Sequence, residues 1–203
     1  FEFSRQITLV ADMKTGFGHV LALTDEGEVY AWGRNNRGQV GNGNRKNVMT
    51  PYKLPLQNIV KIECGGKYSL ALDDQGVLWG WGDNEYNQLS PKKQIDFTTP
   101  VQIQYGEIDI QQLEANGASV VLLDTKGVLW TWGRNDMHQL GYDTKGQTTT
   151  VPGPVPLPGK VTYVAAYSSQ TYAILEGGAL WSWGNNSYGQ LGQGFRSAAS
   201  KGV

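Results

Sequence analysis

Cysteine occurs once in the 203 residues, at Cys64, so no intrachain disulfide can form. That favours a reducing, intracellular compartment, whether cytoplasm, nucleus or organelle. Histidine occurs twice, at His19 and His138, and neither stands near Cys64 or a carboxylate pair at metal-ligand spacing, so no metal site is expected. Charge is sparse and nearly cancels, with 17 Lys and Arg against 18 Asp and Glu. No global positive field draws the chain to nucleic acid or to an anionic membrane, and nucleic acid is disfavoured as a partner. No apolar run approaches the roughly 20 residues of a membrane span, and the start at Phe1 lacks the basic-then-apolar layout of a signal peptide. Ser/His/Asp sets, paired carboxylates in apolar surroundings and glycine-rich loops opening a helix are missing too. Neither enzyme activity nor a bound cofactor is expected.

Glycine, by contrast, occurs 27 times and aromatic residues make up 11% of the chain, a composition that fits a turn-rich, β-rich globular protein. The aromatics are organised. The stretch "LWSWGNNSYGQLGQG" at Leu180–Gly194 recurs as "VYAWGRNNRGQVGNG", "LWGWGDNEYNQLS" and "LWTWGRNDMHQLG". Aligning Trp32, Trp81, Trp132 and Trp183 gives spacings of 49, 51 and 51 residues, a fixed period of the kind that marks a solenoid or propeller.

Each motif tryptophan is followed by Gly33, Gly82, Gly133 or Gly184. Asn35, Asn84, Asn135 and Asn186 keep step three residues after the tryptophan, and Gln39, Gln88, Gln139 and Gln190 seven after it. A further column of Gly41, Gly141 and Gly192 is broken by Ser90.

Within a copy, "SLALDDQGVLWGWG" reads as two apolar strands joined by a polar turn closed with glycine, a β-hairpin. Upstream runs such as "NIVKIECGG" and outer runs such as "TPVQIQYG" bring each copy to about four strands. Along the second hairpin strand one face carries Tyr30, Trp79, Trp130 and Trp181 with the motif tryptophans, and the other carries Val29, Leu78, Leu129 and Leu180. A small sheet with two apolar faces must be sandwiched between copies of itself, as blades are in a propeller.

These residues resemble the regulator of chromosome condensation (RCC1-like) repeat family, whose signature is WGxNxxGQLG. The resemblance implies an all-β, RCC1-type β-propeller with four blades of about 50 residues each, part of a seven-bladed ring in the family. The repeats are expected near residues 6–54, 55–103, 104–156 and 157–194, with 195–203 a tail or linker and no outer strand in the last copy. The family's Gly-x-x-His survives only from Gly16 to His19. Four repeats are too few for the family's ring, so the chain is expected to be a fragment of a longer one, or a partial propeller closed by another subunit. A closed four-bladed ring is the alternative.

The position five after each motif tryptophan breaks the pattern, holding Arg37, Tyr86, Met137 and Tyr188. A varying column on a regular scaffold is expected to be exposed, where binding resides, and these residue types are enriched at interface centres. Ordinary surface variation is the competing reading. Between Arg34 and Lys46 every charge is basic, Arg37 and Arg45 included, which offers an acid-free patch to an acidic partner. With His138, the partner-binding candidates are Arg34, Arg37, Arg45, Lys46, Tyr86, Met137, His138 and Tyr188. The function read from regular architecture without chemistry is a non-enzymatic scaffold that holds protein partners in a large multi-subunit complex. The resemblance adds a guanine nucleotide exchange factor for a small GTPase, with chromatin binding behind it.

Overall fold

The computed structural model describes residues 7–92 and 94–200, and these form sixteen strands in four antiparallel sheets, with no helix among them. Each sheet is a four-stranded meander in chain order. Blade 1 contains β1 (Val10–Thr15), β2 (His19–Thr24), β3 (Val29–Gly33) and β4 (Val48–Lys53). Blade 2 contains β5 (Ile59–Cys64), β6 (Tyr68–Asp73), β7 (Leu78–Asp83) and β8 (Asp96–Gln102). Blade 3 contains β9 (Ile110–Asn116), β10 (Ser119–Asp124), β11 (Leu129–Gly133) and β12 (Thr149–Pro154). Blade 4 contains β13 (Val161–Tyr167), β14 (Gln170–Leu175), β15 (Leu180–Asn186) and β16 (Ser197–Ser200). The chain divides into two compact units, Phe1–Asn84 with Gln94–Ile103 and Glu85–Lys93 with Gln104–Val203.

The central hairpins form where the sequence places them, and the turn aspartate explains why. Asp73 Oδ1 accepts hydrogen bonds from the backbone N–H of Gln75 at 3.0 Å and Val77 at 2.8 Å, and Asp124 Oδ1 does the same for Lys126 and Val128. The second carboxylate oxygen accepts an indole N–H, from Trp79 at 3.2 Å and from Trp130 at 2.9 Å. The glycine after each motif tryptophan is required twice over. Its φ lies at 99°, 95°, 108° and 103° in the four blades, and a Cβ there would stand 2.5, 2.6, 2.6 and 2.2 Å from a carbonyl oxygen of the preceding loop. Pairing with the outer strand skips a residue at that point in every blade, a β-bulge. The outer strands carry Pro51, Pro100 and Pro152, which lack an N–H and blunt the edge against unwanted pairing.

In the first unit Leu21, Val29 and Ala31 of blade 1 pack against Ile59, Ile62, Ala71 and Trp81 of blade 2. In the second, Val121, Leu123 and Leu129 of blade 3 pack against Val161, Val164, Ala173 and Trp183 of blade 4. Blades 1 and 3 thus use the face of Val29 and Leu129, and blades 2 and 4 the face of Trp81 and Trp183.

The structure departs from the expected tail at 195–203. Residues 197–200 form β16, which pairs with β15 through Gly184↔Ser200 and Asn186↔Ser197 and gives blade 4 its outer strand. The segment is short and built of small residues, so it carries no pattern of its own, and the backbone edge of β15 supplies the pairing. Asn186 Nδ2 donates to Phe195 O at 2.9 Å and sets the chain's approach. The ends of the expected boundaries, Gln6 and residues 201–203, lie outside the described residues.

Candidate protein-binding loops

The loop after each WG pair is braced by the two polar columns of the repeat. Asn35, Asn135 and Asn186 are buried, and their Oδ1 atoms accept the backbone N–H five residues on, at Val40 (2.9 Å), Leu140 (3.0 Å) and Leu191 (3.1 Å). Their amide groups donate across the loop, Asn35 to Asn44 O and Lys46 O, Asn135 to Tyr142 O and Thr144 Oγ1. Asn84 Nδ2 likewise reaches Gln94 O at 2.8 Å. The glutamine side chains brace the tip, with Oε1 of Gln39, Gln88, Gln139 and Gln190 accepting from the N–H of Arg37, Tyr86, Met137 and Tyr188 at 2.8 to 3.0 Å. These side chains fold back into their own loop, so their constancy is structural.

The glutamine backbone carbonyl faces the next repeat. Gln39 O accepts Trp81 Nε1 at 2.8 Å and Ser69 Oγ at 2.8 Å. Gln139 O accepts Trp183 Nε1 at 3.1 Å and Thr171 Oγ1 at 3.3 Å, and Gln88 O accepts Trp132 Nε1 at 3.0 Å. Each latch satisfies an indole N–H that would otherwise be buried unpaired.

The varying column is not simply exposed. Arg37, Tyr86 and Met137 are half-buried, and only Tyr188, at 84%, stands out in solvent. The reason lies in the residue two after the tryptophan of the following repeat. Arg37 Nε stands 3.6 Å from Asp83 Oδ1, and the Arg134 guanidinium lies 4.7 Å above the Tyr86 ring. The acid-free patch of the sequence is also altered in space. Arg45 binds Asp96 through both carboxylate oxygens, at 3.2 Å from its Nε to Oδ2, so two of the four basic residues are neutralised by acids of the next repeat. Arg34 and Lys46 are exposed, and Arg34 Nε donates to Asn36 Oδ1.

His138 has φ 57° and fills a turn position that is Gly38, Asn87 and Gly189 in the other repeats, all with positive φ. Its role is backbone conformation, and its Nδ1 is buried without a hydrogen-bond partner. Sequence reasoning missed Asp83, Asp96 and Arg134. The signal was available: Arg34, Asp83, Arg134 and Asn185 form a second varying column, complementary in charge or ring chemistry to the varying residue one repeat earlier. No cluster of three or more His, Cys, Asp or Glu side chains able to hold a metal ion occurs among the described residues. Burial pushes the Cys64 thiol far up, with the Glu63 charge adding to it, so the thiol is held in its unreactive form.

The family model for the RCC1-like domain matches residues 3–201. The chain is 29% identical over 196 residues to human E3 ubiquitin-protein ligase HERC2, covering 91% of this chain and 4% of that protein. It is 30% identical over 203 residues to mouse Protein RCC2, covering 86% of this chain and 39% of RCC2. Among solved structures human WBSCR16 superposes with a TM-score of 0.84 at 28% identity, over 93% of this chain and 51% of that one. The chain therefore spans about half or less of the length of each of these relatives.

Proposed function

This chain belongs to the RCC1-like domain family, and on that premise we propose that it is a non-enzymatic protein-interaction scaffold whose post-WG loops hold a protein partner. The observation that supports this reading is the bracing of those loops. Buried asparagine and glutamine side chains fix the backbone from within, so exposed residues are presented without the ordering cost that weakens binding by a mobile loop. The surface it offers is narrower than the varying column: Arg34 and Lys46 in the first unit, which suit an acidic segment of the partner, and Tyr188 in the second. Arg37, Arg45 and Tyr86 stabilise the scaffold. The ligase activity in the name of HERC2 does not transfer, because the matched region is 4% of that protein.

Cross-linking of the protein in its source cells, followed by mass spectrometry, tests the proposal. Partner cross-links are expected to gather at the loops of Arg34, Lys46 and Tyr188. Arg34→Glu with Lys46→Glu, and separately Tyr188→Ala, are expected to remove them with the folded circular dichroism spectrum intact. Retention of every partner by all three substitutions sinks the assignment. A nucleotide-release assay on small GTPases separates a scaffold, which leaves release unchanged, from an exchange factor.

A further inference from the structure

Three connectors carry the chain from the outer strand of one blade to the first strand of the next, and they share one pattern of burial. In the first, Leu54 and Leu56 are buried while Lys53, Pro55 and Gln57 are exposed. In the second, Ile103 is buried and Tyr105 half-buried while Gln102, Gln104 and Gly106 are exposed. In the third, Val155 is buried and Leu157 packs half-buried against the core of the second unit, while Pro154, Pro156 and Pro158 are exposed. The solvent-facing positions of the first two connectors hold a single proline, and those of the third hold nothing else. With Pro152, half of the chain's eight prolines lie in residues 152–158. Closing a connector does not require them, because the second closes with Gln102 and Gln104 at the same positions.

Every residue from 151 to 158 is either a proline, whose ring fixes φ, or the residue before one, which that ring pushes out of the helical region. The chain there is confined to extended conformations before anything binds. Tertiary bonds hold it further. Val155 N–H donates to Leu129 O and Leu157 N–H to Val155 O, both at 2.8 Å, and the second bond bends the chain at Pro156 and makes that ring the crest. Tyr142 lies against the backbone of Gly153, where a Cβ would stand 2.5 Å from its ring, and its hydroxyl donates to Thr131 O at 2.8 Å. At the far end Glu176 N–H donates to Lys160 O at 2.8 Å. The Lys160 stem lies against Gly127, and the side chain is exposed without an ion pair among the described residues.

We propose that this connector is a docking surface for a protein whose groove is lined with aromatic side chains, into which Pro154, Pro156 and Pro158 insert while a carboxylate at the groove's end meets Lys160. A proline ring is rigid and apolar, packs flat on an aromatic face and has no rotamer freedom to lose, which is how proline-rich segments are recognised. The ordering that such a segment ordinarily undergoes on binding is already complete, through the rings themselves and the bonds at Val155 and Leu157. Lys160 selects for a groove that carries negative charge. The connector leaves blade 3 at the other end of β12 from the post-WG loop, so this surface is a second one and does not depend on the loop assignment.

Isothermal titration calorimetry of the 203-residue chain against isolated SH3, WW and EVH1 domains, whose grooves share this chemistry, tests the proposal. At least one of these domains is expected to bind one-to-one. Replacing Pro154, Pro156 and Pro158 together by glutamine is expected to weaken that binding at least about tenfold. Lys160→Glu is expected to weaken it and to remove most of its salt dependence. Pro55→Gln, at the corresponding position of the first connector, is expected to leave it unchanged. Glutamine already sits at two of the corresponding positions in the second connector, so the triple variant is expected to fold, which its circular dichroism spectrum checks. Should it not fold, Lys160→Glu decides, and unchanged affinity and salt dependence in that variant overturn the proposal. Absence of binding by every domain overturns it, as does binding that survives the triple substitution or that Pro55→Gln weakens as much. A triple variant that merely loses stability, with no domain bound by the wild type, makes the prolines stiffeners of the connector and overturns it equally.

Discussion

Trp32 and Trp183 occupy the same strand position, precede the same positive-φ glycine and begin the same loop, yet one is half-buried, its indole N–H without a hydrogen bond among the described residues, and the other is buried and latched. Nothing in their own repeats accounts for the difference. Trp183 is covered by the repeat before it, which supplies the Gln139 carbonyl and the open space over Gly141. The motif is therefore only half of an interaction, and its energy belongs to pairs of neighbouring repeats, as expected for a quasi-one-dimensional array.

The sharpest way to break this comparison is to truncate both rings. Trp183→Ala removes a fully buried indole and leaves a cavity, and is expected to cost about 3–5 kcal/mol. Trp32→Ala removes a half-buried ring without a hydrogen bond and is expected to cost about 1 kcal/mol. Urea denaturation in dilute solution measures both, and equal losses contradict the neighbour-pair account.

A second contrast lies between His19 and its counterparts Tyr68, Ser119 and Gln170, which carry no charge near neutral pH. His19 is fully buried with Nε2 3.0 Å from Ser69 Oγ, and burial, partly opposed by a hydrogen bond with the Tyr68 backbone, lowers its pKa from 6.5 to about 4. The folded chain holds it neutral while the unfolded chain protonates below 6.5. Stability is thus fully present above that pH, falls as pH drops from 6.5 toward 4, and is flat below for this group, with a total loss of about 3 kcal/mol. Urea midpoints across this range are expected to show the decline, and His19→Gln to remove it.

Next in size are the loop braces. Asn135 bonds Leu140 N–H, Tyr142 O and Thr144 Oγ1, whereas Asn186 bonds Leu191 N–H and Phe195 O. Asn135→Ala is expected to cost about 2–3 kcal/mol and Asn186→Ala about 1–2 kcal/mol, since each leaves buried backbone groups unpaired. Thermal or urea unfolding orders the two, and a reversed order points to neighbours taking over the lost bonds at Asn135.

The fold was legible because it is written four times. The tryptophan, asparagine and glutamine columns mark the strands and loops, and alternation names the buried Val29 and Ala31 of β3, the buried Leu78 and Trp81 of β7, the buried Leu129 and Trp132 of β11 and the buried Trp183 of β15. The strand at Ser197–Ser200 was illegible for a physical reason: its partners are backbone groups of β15, and its small residues leave no hydrophobic period. The loop surface was half legible. Variation picked out Arg37, Tyr86, Met137 and Tyr188, but reading one repeat at a time hid Asp83 and Arg134, which lie about a period downstream and cover the first two.

The smallest expected effects test that last point. Arg37 and Asp83 lie at the blade rim with the arginine partly solvated, so a double-mutant cycle of Arg37→Ala and Asp83→Ala is expected to give a coupling of about 0.5–1 kcal/mol that weakens with salt. Tyr86→Ala with Arg134→Ala is expected to give a coupling of about 0.5–1 kcal/mol that is less sensitive to salt, because a ring face carries no net charge. Tyr188, 84% exposed, is expected to change stability by no more than about 0.5 kcal/mol on truncation to alanine. A column in which stability coupling is present at Arg37 and Tyr86 and absent at Tyr188 separates side chains used within the array from the one left for an outside surface. Coupling at none of them returns the column to ordinary surface variation and leaves Arg34 and Lys46 to carry the binding proposal.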